Sequence, residues 1–209
     1  MAVQIATLDP NVGHVMNTPF PVRQDGKFSV EEFFALLESR PEEERRQLLD
    51  GVAMMVPPPT RVHQQNSANL AFELNAHFRA NGLEFSALQE VGLIVPEAEL
   101  FRPQADVAVF DAMADYSSYA DTFYLVAEVL SDSNTDKDIA VKRQRYLQHP
   151  GNLYFLLIEQ RRVGVELLTR AAGWAPKALD RLDDVLELPA FGLRASLASL
   201  YRGTPLQAP

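Results

Sequence analysis

Regularly spaced apolar residues predict the long helices of this chain. Leu70, Leu74 and Phe78 recur at steps of four, which places them on one face of an α-helix. Asn81-Gly82 then supplies a C-terminal stop. The pattern therefore predicts a helix over residues 61–82.

Turn and cap residues mark the limits of other elements. Ser29, followed three residues later by Glu32, forms a capping box and predicts a helix that starts at the next residue. Asp50-Gly51 between two apolar runs predicts a β-hairpin, which the prolines at 57–59 end. A further helix is predicted over residues 136–149, before a Pro-Gly pair.

Apolar runs bounded by turn residues predict the strands. We expect strands at 84–95, around 101–110 and 123–132, two within 152–170 joined by a tight turn near Gln160-Arg161, and one near 185–188, with a last helix at 195–201. No internal repeat or linker interrupts this series. We therefore predict one α/β domain over residues 27–205, preceded by a flexible or extended N-terminal arm, residues 1–26, that is rich in Pro, Asn and Gly.

Composition narrows the classes of protein. Hydrophobic residues make up 47% of the chain and charged residues 22%, which is typical of a globular domain. The net charge of −9 weighs against a general nucleic-acid binder, although a local basic groove stays compatible with it. The absence of cysteine excludes disulfides, thiol nucleophiles and thiolate metal sites.

Hydropathy also bears on location. No apolar run approaches the ~20 residues that cross a bilayer. The N-terminal residues lack the basic segment and apolar core of a secretion signal. We therefore expect a cytoplasmic protein with no membrane partner.

Two acids inside apolar strands raise the question of function. Asp106 lies in "FRPQADVAVF" and Glu128 in "FYLVAEVLSD", each flanked by apolar residues. Such strands are typical of the interior of a sheet covered by helices, where an unpaired carboxylate is costly. A cation or a metal would resolve this, and two nearby carboxylates suit Mg²⁺ or Mn²⁺.

Strand alternation predicts which faces the two acids occupy. Asp106 should share a face with Ala108 and Phe110, opposite a set formed by Ala105, Val107 and Val109. Glu128 should share a face with Tyr124, Val126 and Leu130.

The next helix offers a cation. At about 100° per residue, Lys142 lies ~40° from Tyr146 and borders the apolar arc that faces the sheet. Lys142 could therefore reach the two acids, or pair with Asp138 four residues earlier. The residues alone leave a structural reading open, in which Asp106 caps a loop and Glu128 forms a buried ion pair.

The ordered set of motifs resembles the Uma-type family of putative restriction endonucleases, in the PD-(D/E)XK nuclease superfamily. The resemblance covers residues 28–201. It rests on these segments in chain order: "LLDG", "VHQQNSANLAFEL", "RPQADVAVF", "LVAEVLSDSN", "DIAVKRQRY" and "LYFLLIE". It implies a restriction-endonuclease-like fold, with a mixed central β-sheet flanked by helices.

The resemblance also implies roles for single residues. Asp106 in "PQADV" matches the metal-binding aspartate of the family's "PDV" motif, with two residues inserted after the proline. Glu128 in "AEVLS" matches the second metal ligand. The superfamily lysine commonly follows two residues later, where this chain has Leu130, but the Uma-type K-x-x-x-Y arrangement matches Lys142 and Tyr146 in "KRQRY".

Three further positions compare less simply with the family. At the hairpin, Gln47 and Val52 replace the two acids of the family's "YELIDGE". The loss of the first acid bears on whether the site is active. His63 matches a histidine common at the start of the family's long helix, where it either supports the site or caps the helix.

The implied activity is hydrolysis of DNA phosphodiester bonds by a Mg²⁺- or Mn²⁺-dependent endonuclease with no organic cofactor. Asp106 and Glu128 would hold the metal, and Lys142 would orient the water or neutralise charge. Arg102, Arg143 and Arg145 are candidate phosphate contacts. Cutting both strands makes a homodimer plausible.

The sequence leaves two other functions open. A catalytically inactive interaction or regulatory module on the nuclease fold would account for the acidic charge and the missing hairpin acids, because a fold does not guarantee an activity. A hydrolase of a small phosphorylated ligand would fit the negative charge better than long DNA does.

Overall fold

A computed structural model describes residues 26–41, 44–96, 98–113, 115–132 and 134–207 of the chain. The predicted N-terminal arm, residues 1–26, lies outside these residues apart from Gly26.

Helices and strands follow one another in mixed order along the described residues. The helices are α1 (Val30–Glu38), α2 (Arg61–Ala80), α3 (Asp136–Gln148) and α4 (Leu197–Leu200). The strands are β1 (Arg46–Leu49), β2 (Val52–Met55), β3 (Phe85–Leu93), β4 (Gln104–Asp111), β5 (Tyr119–Ala120), β6 (Leu125–Leu130), β7 (Tyr154–Glu159), β8 (Val165–Thr169), β9 (Pro176–Leu179), β10 (Val185–Leu188) and β11 (Leu193–Ser196). No helix of these residues has the length and apolar character needed to span a membrane.

A seven-stranded mixed sheet forms the centre, in the order β5-β3-β4-β6-β7-β8-β9. β6 runs parallel to β7, with α3 as the crossover, and β3 runs parallel to β5. The other neighbours in this sheet are antiparallel. Two hairpins, β1–β2 and β10–β11, lie outside it.

Apolar layers cover both faces of the sheet. On one face, α2, α4 and the β10–β11 hairpin pack over residues such as Val107, Ala127 and Leu156. On the other face, α3 and the β1–β2 hairpin pack over Ala108, Val126 and other members of a second cluster. The central strands are therefore buried on both sides, as their apolar sequences predict.

Local signals account for several boundaries. Ser29 and Glu32 exchange the two hydrogen bonds of a capping box at the start of α1, as predicted. Asp50 and Gly51 take φ values of 48° and 84°, the positive values that a two-residue hairpin turn needs. Gly82, at φ 61°, follows the end of α2.

Other sequence predictions were wrong in detail. The turn after β7 spans residues 160–164 rather than two residues, and β5, β9 and β11 were not predicted, because they are only two to four residues long. Ala105 packs in the same cluster as Ala108 and Phe110, so its predicted place on the opposite face was wrong. The cause lies beside it, where strand pairing is interrupted at Asp106.

Candidate active site

Neighbouring strands bring the two predicted acids to one cavity. The β4–β6 ladder ends with Val107 opposite Ala127. Asp106 and Glu128 are the next residue on each strand, beyond the last pair. Both line a cavity of about 250 Å³, together with Lys142. The structure therefore brings together the three residues that the sequence singled out as catalytic.

The Asp106 carboxylate takes the place of a strand partner. Its Oδ2 accepts a hydrogen bond of 2.7 Å from the backbone N–H of Val129 on β6. This donor would otherwise point at a backbone carbonyl of β4, since the two strands are antiparallel. The position of the carboxylate is thus fixed by the sheet itself.

Glu128 is held by two residues of α3. Lys142 Nζ lies 2.7 Å from its Oε2, and the Tyr146 hydroxyl donates to its Oε1 at 2.8 Å. All three side chains are buried. Burial raises the pKa of Glu128, and the Lys142 ammonium opposes that rise. Burial, with the adjacent Glu128 charge, raises the pKa of Tyr146 well above its usual value.

The start of α3 sets the orientation of these two side chains. Thr135 and Asp138 form a capping box at its N-terminus. Lys142 and Tyr146, one turn apart, then face the sheet as the helical geometry predicted. The alternative pairing of Lys142 with Asp138 does not form, because Asp138 bonds to Thr135 instead.

His63 reaches the site from the first turn of α2, where Thr60 caps the helix by accepting from the His63 N–H. Its Nε2 lies 3.1 Å from Oδ1 of Asp106, and its Nδ1 is buried without a hydrogen-bond partner. Burial by itself lowers the pKa of His63, but the hydrogen bond and charge of Asp106 outweigh burial, so that this pKa is raised. His63 therefore contacts Asp106 directly, and the cap of the helix is Thr60 rather than His63.

Gln47 lies on β1, paired with Met54 across the hairpin, and lines the same cavity. Its Oε1 is buried and has no hydrogen-bond partner. Among the described residues, no three His, Asp or Glu side chains form a complete metal-binding group. Two carboxylates and an unpartnered amide oxygen still fit Mg²⁺, which binds one or two carboxylates and keeps several waters. Val52, the other departure at the hairpin, is exposed.

The three arginines that the sequence offered as phosphate contacts are engaged elsewhere. Arg143 forms an ion pair with Glu166, and Arg145 with Asp50. Arg102 donates to the Phe101 carbonyl. A different arginine, Arg45, directly precedes β1 and lines the cavity.

Arg45 and Glu90 are two charged residues that line the cavity and that the sequence analysis did not assign to the site. Arg45 precedes β1 and pairs with Glu90 on β3. Glu90 has φ 58°, a left-handed value that is uncommon for a residue other than glycine. Neither residue carries a local sequence signal, because their contact joins segments 45 residues apart.

Comparison with known proteins agrees with the fold. A crystal structure of a putative nuclease belonging to DUF820, from Anabaena variabilis, is similar with a TM-score of 0.69. The two chains are 16% identical, and the match covers 83% of this chain and 97% of that chain. At this identity the likeness shows the fold, which confirms the mixed sheet flanked by helices. No curated protein matches the chain.

A family model described as "Uma2: Putative restriction endonuclease" matches residues 30–198. The match covers most of the chain and contains both acids, Lys142 and His63. The chain therefore belongs to the Uma2 family of putative restriction endonucleases.

Proposed function

We propose that this protein is a divalent-metal-dependent endonuclease that hydrolyses phosphodiester bonds of DNA. One observation carries the proposal: Asp106, Glu128 and Lys142, from two adjacent strands and the following helix, line one cavity. Membership of a restriction endonuclease family and the nuclease-like fold support the same activity.

Hard oxygen donors would hold the metal. We assign this role to the carboxylates of Asp106 and Glu128, with the unpartnered Oε1 of Gln47 as a neutral third donor. A bound Mg²⁺ or Mn²⁺ would supply Lewis-acid stabilisation of the charge that develops on the phosphoryl oxygens.

The remaining residues orient and balance charge. Lys142 places a buried ammonium beside Glu128, where it can neutralise negative charge on the substrate or direct a water. Tyr146 fixes the other oxygen of Glu128. His63 holds the Asp106 oxygen that the Val129 N–H does not bind, so that helix side chains hold both carboxylates.

Cleavage of supercoiled plasmid with Mg²⁺ or Mn²⁺ tests the proposal, together with calorimetric titration of each metal. Asp106→Asn and Glu128→Gln are expected to abolish cleavage and to weaken metal binding. Asp111→Asn is the matched control: Asp111 lies at the other end of β4, is exposed and accepts only from Tyr124. A folded wild type that binds no metal and cuts no DNA would refute the proposal.

One observation favours the alternative of an inactive module. Each oxygen of Asp106 and Glu128 already has a protein donor, as in a purely structural ion-pair network. In that case Asp106→Asn changes stability and nothing else, while metal titration gives no heat with the wild type.

The charge of the cavity favours a second alternative, a small phosphorylated substrate. The lining carries the five carboxylates of Glu90, Asp106, Glu128, Asp132 and Asp138. A long polyanion meets more repulsion there than a small ligand does. Release of phosphate from nucleotides, with DNA left intact, is the result that would select this alternative.

A further inference from the structure

An ion pair on the cavity wall has the geometry of a phosphate clamp. Arg45 Nη1 donates to Oε1 of Glu90 at 2.8 Å, and Arg45 Nη2 lies 2.7 Å from Oε2. Two parallel bonds of this kind are also how a guanidinium binds the oxygens of a phosphate. The pair is accessible, since the side chains of Arg45 and Glu90 are 33% and 47% exposed.

The backbone at Glu90 is held in an uncommon state. The β3–β4 ladder pairs Gln89 with Val107 and Val91 with Ala105, while Glu90 and Asp106 lie unpaired between them. Glu90 takes φ 58° there, and its carbonyl accepts a 2.8 Å hydrogen bond from the Gln104 side chain. Backbone strain of this kind is concentrated at functional sites. It places the carboxylate of Glu90 on the same cavity as Asp106.

Charge on the wall singles out Arg45. Of the described residues that line the cavity, Arg45 and Lys142 are the only arginine or lysine, against five carboxylates. Lys142 is buried against Glu128. Arg45 is therefore the one accessible guanidinium that an anionic substrate meets among these residues.

We propose that Arg45 binds a backbone phosphate of the DNA substrate, beside the phosphate that is cleaved, and that the Glu90 carboxylate occupies its place in the free protein. This inference rests on the proposed nuclease function. Substrate binding exchanges one bidentate partner of the Arg45 guanidinium, the Glu90 carboxylate, for another, the phosphate. Because Glu90 holds the guanidinium in the free protein, its N–H groups are already oriented before DNA binds. Glu90 thereby lowers the affinity for DNA and keeps Arg45 in position.

Equilibrium binding of a fluorescein-labelled DNA duplex tests this, by anisotropy in Ca²⁺ and over a range of KCl concentrations. Arg45→Gln is expected to weaken binding about tenfold, the effect of losing a charged hydrogen bond. It should also reduce the slope of log K against log salt by about 0.9, because one phosphate contact is lost. Glu90→Gln is expected to strengthen binding severalfold, since the competing charge is removed. Arg181→Gln, which breaks an exposed pair with Asp183, should leave binding unchanged.

A purely structural ion pair gives the opposite pattern. Arg45→Gln and Glu90→Gln would then weaken binding alike, or leave both affinity and salt slope at the wild-type values, and either result overturns the inference. Arg45→Lys keeps the charge and covers the case in which Arg45→Gln fails to fold; it should retain the salt slope with a lower affinity. If the wild type cuts DNA and Arg45→Gln changes neither affinity nor salt slope, this inference alone is refuted. Wild type that neither binds nor cuts DNA refutes both.

Discussion

Replacing Lys142 by methionine separates the charge of this residue from its packing. The lysine and Glu128 side chains are each 4% exposed, and their charged atoms lie 2.7 Å apart. Methionine fills the volume of the lysine stem but brings no charge. The change therefore leaves Glu128 buried with Tyr146 as its remaining donor.

The expected loss depends on pH. Breaking a buried ion pair by removing one partner costs about 3–5 kcal/mol. Tyr146 still donates to Glu128, so we expect the lower end, about 3 kcal/mol, at pH 8. The pKa of Glu128 is already raised by burial, and the loss of Lys142 raises it further. The folded protein then holds a proton that the unfolded chain releases. The stability of the variant is accordingly greatest below the pKa of Glu128 in the unfolded chain, and it falls as pH rises through the pKa of Glu128 in the folded protein. At pH 5 the expected loss is about 1 kcal/mol, close to that of one hydrogen bond.

Urea denaturation followed by circular dichroism at pH 5 and pH 8 measures this difference. Arg143→Met is the matched control on the same helix, because Arg143 also pairs with a glutamate but in a half-exposed setting. Its effect should stay below about 1 kcal/mol. The double variant Lys142→Met/Glu128→Gln should recover most of the loss at pH 8. An equal loss at both pH values, or strict additivity in the double variant, would refute the reasoning.

Three other changes test separate parts of the structure. His63→Gln should lower the free energy of unfolding, measured by urea denaturation, more at pH 5.5 than at pH 9. The pKa of His63 is raised in the folded protein, so the histidine stabilises the fold below its pKa in the unfolded chain. This gain is lost as pH rises through its pKa in the folded protein. Gln47→Glu should tighten Mn²⁺ binding about tenfold by calorimetry, since it adds a charged ligand. Asn75→Ala should cost about 2 kcal/mol in chemical denaturation, as both backbone groups of Ala87 lose their partner.

Each expectation has an outcome that contradicts it. A pH-independent effect of His63→Gln would show that its contact with Asp106 involves no change in protonation on folding. Unchanged Mn²⁺ affinity in Gln47→Glu would place Gln47 outside the metal site. A loss under 0.5 kcal/mol in Asn75→Ala would mean that water replaces the amide at the edge of β3.

Local chemistry made much of the fold predictable. Cap and turn residues such as Ser29 and Asp50-Gly51 act within a few positions of themselves, so their effects are visible in the sequence. Lys142 was placed toward the sheet by helical geometry alone, and the structure puts it against Glu128. The family, and with it the mixed sheet, came from the order of motifs rather than from any one of them.

The parts that escaped prediction depend on contacts between distant segments. Glu90 is an ordinary strand residue in sequence, and its left-handed backbone arises where pairing with β4 is interrupted. Arg45 lines the cavity only because the β1–β2 hairpin packs beside β3 and β4. Arg45 and its partner Glu90 are 45 residues apart in the sequence. Ala105 departs from the expected alternation at the same interruption. The spacing of apolar residues along the chain does not predict where strand pairing is interrupted.

The way in which each acid is fixed also constrains how the site can work. Asp106 is tied to β6 by a backbone hydrogen bond, whereas Glu128 is tied to α3 by two side chains. The sheet therefore fixes the Asp106 carboxylate, whereas the Glu128 carboxylate is held by a helix that could shift without breaking a strand. A cation entering the cavity would compete with Lys142 for Glu128 and with His63 for Oδ1 of Asp106, and the Val129 N–H could stay bonded to Oδ2. Any rearrangement on metal binding should accordingly appear first in α3 and at the start of α2, while β4 and β6 keep their register.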